Sequence, residues 1–204
     1  MQLDPFYPIV DSSDWVERLV PLGVKLLQLR IKNAAGETAL RKEIAASRTI
    51  CEQHGCQLIV NDHWQLAIDE ACDFVHLGQE DLADADIDAI RRAGIRLGVS
   101  THDGEELETA LSVAPDYIAL GPVFPTSSKS LKWAPQGLER VTGWKSQVGD
   151  LPLVAIGGIS LEKAGEVLRS GADSLAVISD VTRSPDPEQR TRDWIEDTRD
   201  WRRA

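Results

Sequence analysis

The apolar positions of this chain fall in short runs, and the segments between the runs repeat at helical spacing. Eight runs read as strands: YPIV (7–10), LLQLR (26–30), QLIV (57–60), FVHL (74–77), RLGVS (96–100), YIALG (117–121), LVAIG (153–157) and SLAVIS (174–179). Most show no strict alternation with polar residues, as expected of parallel strands covered on both faces. Leu40, Ile44, Ser47 and Cys51 line one face of a helix, with Thr38 as its N-cap and Gly55 as its C-terminal stop. Ser160 is placed to cap a helix carrying Leu161, Ala164, Val167 and Leu168, which Gly171 ends. Asp103 with Glu106 marks a further start, with Leu107, Ala110 and Leu111 inside, and residues 187–201 read as a final amphipathic helix.

Eight successive βα units predict an α/β protein: a single (β/α)8 TIM barrel over residues 1–204, with its active site at the C-terminal ends of the strands. An open doubly wound sheet would be favoured by a G-x-G-x-x-G turn after the first strand. VDSSDW stands there instead. No linker, low-complexity tract or second domain interrupts the pattern.

Composition narrows the function classes. The chain of 204 residues is long enough to bury a substantial core without disulfides. Its three cysteines form no disulfide framework, and Cys51 and Cys56 with His54 between them lack a second ligand pair for zinc, so buried thiols are expected. The N-terminus MQLDPFYPIV has neither the basic nor the apolar region of a signal peptide, and no apolar run approaches a membrane span. A cytoplasmic location is the expectation. A formal net charge of −11 argues against nucleic acid and anionic membranes as partners. It allows a small anionic ligand held by a local cluster of cations.

That cluster is visible at the strand ends. The second strand ends in Gln28, Arg30 and Lys32, the third in Asn61 and Asp62, the fourth in His76 and then Gly78 to Asp81, the fifth in Ser100 and His102. Gly157 and Gly158 follow the seventh strand, and Ile178 and Ser179 end the eighth. Glycines after strand seven allow close backbone approach to a ligand, and the loops after strands seven and eight are the usual phosphate site of this fold. Either aspartate alone would read as a helix cap. Asp62 and Asp81 together end adjacent strands, and two carboxylates with diphosphate oxygens and waters make a Mg²⁺ site. The stretch 122–137, PVFPTSSKSLKWAPQG, is the longest connection and reads as a lid that brings Lys129 over an anionic substrate.

The motifs QLRIK, ND, VHLGQEDL, LGVSTHD, YIALGPVFPTSSK, APQGLE and VAIGGIS, in this order, resemble the thiamine phosphate synthase (thiamine-phosphate pyrophosphorylase) family from about Tyr7 to Ser179. The resemblance implies a transferase of thiamine biosynthesis. It would join 4-amino-5-hydroxymethyl-2-methylpyrimidine diphosphate to a thiazole phosphate, or its carboxylated form, and release pyrophosphate with Mg²⁺. By that resemblance Gln28, Leu29, Arg30, Ile31, Lys32, Asn61, Ser100 and Lys129 would contact the pyrimidine diphosphate, with Arg30, Lys32 and Lys129 aiding its departure. Thr126, Ser127, Ser128, Gly158, Ile178 and Ser179 would hold the thiazole phosphate, and Asp62 and Asp81 the metal. Ser128 stands where threonine is usual, and His63 where arginine is often found. His76, His102, Trp64 and Trp133 read as structural. A thiazole tautomerase of related sequence, needing no metal, is the nearest enzyme alternative, and a non-catalytic thiazole-phosphate-binding regulator is another. Oligomeric state is left open, a homodimer included.

Overall fold

The structure is a computed structural model that describes residues 2–126 and 133–202. All eight predicted strands form: β1 Phe6–Val10, β2 Leu26–Leu29, β3 Gln57–Asn61, β4 Phe74–Leu77, β5 Arg96–Thr101, β6 Tyr117–Leu120, β7 Leu153–Ile156 and β8 Ser174–Val177. Each pairs in parallel with the next, and β8 returns to β1 with Tyr7 opposite Ala176, so the sheet closes and has no edge. Closure explains the unbroken apolar runs. Side chains of one parity point to the barrel axis and the others to the helical shell, and both sides are dry.

The two parities build two cores. Leu27, Val60, Val75, Leu97, Ile118 and Leu120 face outward into a large cluster with the helices, which includes the fully covered Trp144 and Trp194. Tyr7, Ile9, Leu26, Ile59, Phe74, Tyr117, Ala119, Val154 and Ala176 fill the barrel itself. Burying each large side chain contributes about 2–3 kcal/mol. The inward parity carries the polar upper layer as well. Gln28, Asn61 and His76, all at most 7% exposed, stand one step above Leu26, Ile59 and Phe74 on their strands.

The shell helices begin where short polar side chains satisfy their first N–H groups. Ser12 caps α1 (Ser13–Leu19), Asp86 caps α5 (Ile87–Arg92), Asp103 caps α6 (Gly104–Ser112) and Asp186 caps α10 (Pro187–Asp197). Two expected caps differ. Helix α2 (Glu37–His54) starts at Gly36, so Thr38 lies inside its first turn; Gly55 ends it in the left-handed region as predicted. Ser160 occupies the N-cap position of α8 (Leu161–Arg169), yet its hydroxyl accepts no helix N–H. The Asp180 carboxylate, reaching across from the next unit, takes the Leu161 N–H at 3.3 Å. That carboxylate also accepts Arg190 Nε at 2.9 Å and Trp194 Nε1 at 2.8 Å, tying α10 to the start of α9 (Ser179–Thr182). In α6, Leu107 and Ala110 are buried as expected, while Leu111 turns out to solvent because it falls outside the apolar arc.

Candidate active site

The acidic stretch after β4 is the first turn of a short helix, α4 (Gln79–Asp84), that starts directly at Gly78. Negative side chains in a first turn are favoured by the exposed N–H groups there. Glu80 points to solvent, while Asp81 is half-buried. The Asp81 carboxylate lies back along its turn: a Cβ placed on Gly78 would sit 3.4 Å from Asp81 Oδ2. Asp62, directly after β3, has a left-handed backbone with φ 64°, a conformation aspartate tolerates better than most residues. The turn is held by Asp62 N donating to His76 O at 2.9 Å and Trp64 N donating to Asp62 O at 2.9 Å. It brings the Asp62 carboxylate to Lys32 Nζ in an ion pair and into the electrostatic reach of Asp81.

The electrostatics of this pair are asymmetric. Burial raises the proton affinity of Asp62, but the Lys32 hydrogen bond and charge, with a smaller contribution from the Asp81 side chain, outweigh it and hold Asp62 below the usual carboxylate range. Asp81 is pushed the other way, by burial and by the adjacent charge of Asp62. The mouth is therefore short of positive charge at Asp81. The Arg30 backbone N–H donates to Val10 O at 2.7 Å, while its side chain makes no hydrogen bond or ion pair among the described residues, and its field reaches His76.

The QLRIK run is explained by strand parity. Gln28 points inward, and Arg30 and Lys32 follow two and four residues on. Leu29 is buried in the outer cluster and Ile31 packs against that cluster from its edge. Their side chains face away from the mouth, so any substrate contact from them is made by backbone. The Ile31 carbonyl is 3.2 Å from His63 Nε2, which gives His63 a local structural partner.

Below the carboxylates lies a line of hydrogen bonds across the barrel interior. Gln28 Nε2 donates to Tyr7 Oη at 2.8 Å, Tyr7 Oη meets Tyr117 Oη at 3.0 Å, Tyr117 Oη meets His76 Nδ1 at 2.7 Å, and His76 Nε2 meets Ser100 Oγ at 2.8 Å. Gln79 Nε2 holds the Ser100 carbonyl at 2.7 Å. Burial pushes His76 down to about 4, against the pull of Asp62 and with the help of Arg30, so the ring is neutral at pH 7. Burial likewise raises both tyrosines far above the physiological range. Neither tyrosine is apparent as a site residue in the sequence. The one usable signal is Gly98, a glycine inside a strand: a Cβ there would lie 2.1 Å from the Tyr117 ring.

At the far side of the mouth, Gly157 and Gly158 have φ 99° and 66°. The space left by their missing Cβ atoms is taken up by a neighbouring segment of the chain. A Cβ on Gly157 would lie 2.6 Å from Pro122 Cα, and one on Gly158 would lie 2.4 Å from the Pro125 carbonyl oxygen. The loop after β6 is thus seated on the loop after β7, with Phe124 N donating to Gly157 O at 2.9 Å. Thr126, half-buried, directly follows the Pro125 that lies against Gly158; Ile178 and Ser179 lie at the neighbouring β8 end. Ser127, Ser128 and Lys129 lie outside the described residues. His102 is held at 2.7 Å by Glu106 Oε2 and stacks on Trp133 at 5.4 Å. These two line a cleft of about 630 Å³ against α7 (Gly137–Val148), away from the paired aspartates.

The family model for thiamine monophosphate synthase matches residues 6–181. The chain belongs to the thiamine monophosphate synthase family. A thiamine-phosphate synthase of Rhizobium etli is 65% identical over 99% of this chain and 98% of the relative. One of Cronobacter sakazakii is 51% identical over 93% and 90%. The solved structure of a thiamine phosphate pyrophosphorylase from Pyrococcus furiosus superposes with a TM-score of 0.83 at 29% identity, covering 98% of both chains. The chain is a transferase of thiamine biosynthesis that acts on small phosphorylated substrates. Among the described residues no helix is long and apolar enough to cross a membrane.

Proposed function

We propose that this chain forms thiamine phosphate by transferring the pyrimidine methylene from diphosphate to the ring nitrogen of the thiazole phosphate, with Mg²⁺. The observation that carries the reading is the convergence of Lys32, Asp62 and Asp81 at the mouth of a barrel, with Arg30 two residues before Lys32 and its side chain without a carboxylate partner among the described residues. Two oxygen ligands suit Mg²⁺, which keeps waters and takes substrate phosphates for its other positions. The donor set fits for a second reason. The proton affinity of Asp81 is raised by Asp62, and a cation between the two carboxylates would relieve that repulsion. Among the described residues no group of three or more metal-ligating side chains gathers, so the remaining positions fall to water and diphosphate. Bound there, Mg²⁺ would add positive charge to the diphosphate oxygens.

The remaining chemistry belongs to the chain. Arg30 and Lys32 orient the diphosphate and stabilise the charge it gains on leaving. Lys129 would add to this from the connection after β6. The thiazole nitrogen attacks with a lone pair and has no proton to lose, so no general base is required. His76, neutral and buried, is suited to hold a hydroxyl rather than to take a proton. The amino group of the pyrimidine stabilises a carbocation at the methylene, so departure precedes attack. Gly158, Ile178, Ser179 and Thr126 hold the thiazole phosphate. The Lys32–Asp62–Asp81 arrangement favours this reading over a thiazole tautomerase or a non-catalytic binder, neither of which needs a diphosphate site.

The test is direct. Purified protein, both substrates and Mg²⁺ should yield thiamine phosphate, and chelator should abolish it. A trifluoromethyl group in place of the pyrimidine methyl withdraws electrons with little change of shape. It should slow the single-turnover step by orders of magnitude, since each ~1.4 kcal/mol is tenfold in rate. An unchanged rate with that analogue would point to direct displacement.

A further inference from the structure

The hydrogen-bonded line under the mouth has a direction. The Gln28 amide nitrogen donates to Tyr7 Oη and has no capacity to accept. The Tyr7 proton then goes to the one other partner of that oxygen among the described residues, Tyr117 Oη. Tyr117 in turn directs its own proton to His76 Nδ1. A proton on Nδ1 would leave the Tyr117 hydroxyl with two incoming donors and nowhere to send its own proton, in a side chain that is fully buried. The neutral imidazole therefore carries its proton on Nε2, which donates to Ser100 Oγ. Ser100 stands at the end of the line, half-exposed, with its oxygen occupied by that donor and its own proton free to point away.

We infer that Tyr7, Tyr117 and His76 are positioning residues that lock the Ser100 hydroxyl as a hydrogen-bond donor into the barrel mouth, aimed at an acceptor atom of the pyrimidine diphosphate. Identifying the acceptor as part of that substrate rests on the function proposed above. The donor polarity rests on the hydrogen bonds alone. The device is built into the fold: Gly98 lies opposite Tyr117 in the strand register and vacates the space its ring occupies. The ring also stacks on His76 at 14° and 5.5 Å, which keeps Nδ1 in front of the phenol oxygen.

The tautomer can be read without any assay of turnover. Long-range ¹H–¹⁵N correlation on histidine-labelled protein should show His76 as a single Nε2–H form, assigned by its loss in His76→Asn. In Tyr117→Phe, Nδ1 loses its donor. The Nδ1–H form should then appear, and KM for the pyrimidine diphosphate should rise roughly tenfold, the loss of one well-placed hydrogen bond. KM for the thiazole phosphate should stay as it was. An Nδ1–H form in the unaltered protein would overturn the inference, because the line would then run the other way. So would a Tyr117→Phe protein whose tautomer and KM values are both unchanged. Failure of the unaltered protein to make thiamine phosphate would sink the functional reading and leave the tautomer result standing.

Discussion

Burying His76 as a neutral ring makes the stability of the barrel depend on pH in a calculable way. The folded ring titrates at about 4, against an ordinary value of 6.5. Folding thus excludes a proton that the unfolded chain would take. The contribution is fully present above pH 6.5 and is lost as pH falls from there towards 4. At about 1.4 kcal/mol per tenfold change in proton affinity, the total is about 3 kcal/mol, and about 2 kcal/mol of it is gone by pH 5. Burial is the largest cause, Arg30 adds to it, and Asp62 opposes it. The measurement is urea denaturation followed by tryptophan fluorescence at pH 7, 6 and 5, comparing the native chain with His76→Asn. The variant is less stable at pH 7 but lacks the titrating ring, so its stability should fall by about 2 kcal/mol less over the same range. A parallel decline in the two proteins would refute the reasoning. So would an NMR titration in which the His76 ring protonates near pH 6.5 in the folded state.

Other outcomes follow from the same structure. Asp81→Asn removes a full charge from the carboxylate pair, and Mg²⁺ affinity by calorimetry should fall tenfold or more with the circular dichroism spectrum unchanged. Gly98→Ala sets a methyl against the Tyr117 ring, and should cost about 1–3 kcal/mol in urea denaturation as the ring and its hydrogen bonds are displaced. Asp180→Ala leaves the Arg190 guanidinium and the Trp194 indole N–H without their shared acceptor, and should cost about 2 kcal/mol, with α10 losing amide-exchange protection first.

Much of this protein could be read from its sequence because the repeating signals are local. A strand covered on both faces must be apolar at both parities, so eight such runs separated by helical spacing are enough to predict a closed parallel barrel. The same parity accounts for Gln28, Arg30 and Lys32 standing together, and chain order places Asp62 and Asp81 at neighbouring strand ends. What the sequence could not supply is which groups meet across the barrel. Tyr7 and Tyr117 are far apart in the chain and look like core aromatics in their own strands. Only closure of β8 onto β1 and the gap left by Gly98 bring their hydroxyls together under His76. The glycines after β7 show the same limit in reverse. Their need for a missing Cβ was legible, but its cause, the β6 loop lying against them, is a contact between segments that no local pattern records. The opposite shifts in proton affinity of Asp62 and Asp81 likewise arise from a lysine and a carboxylate converging in space, and charge interactions depend on distance rather than on order along the chain.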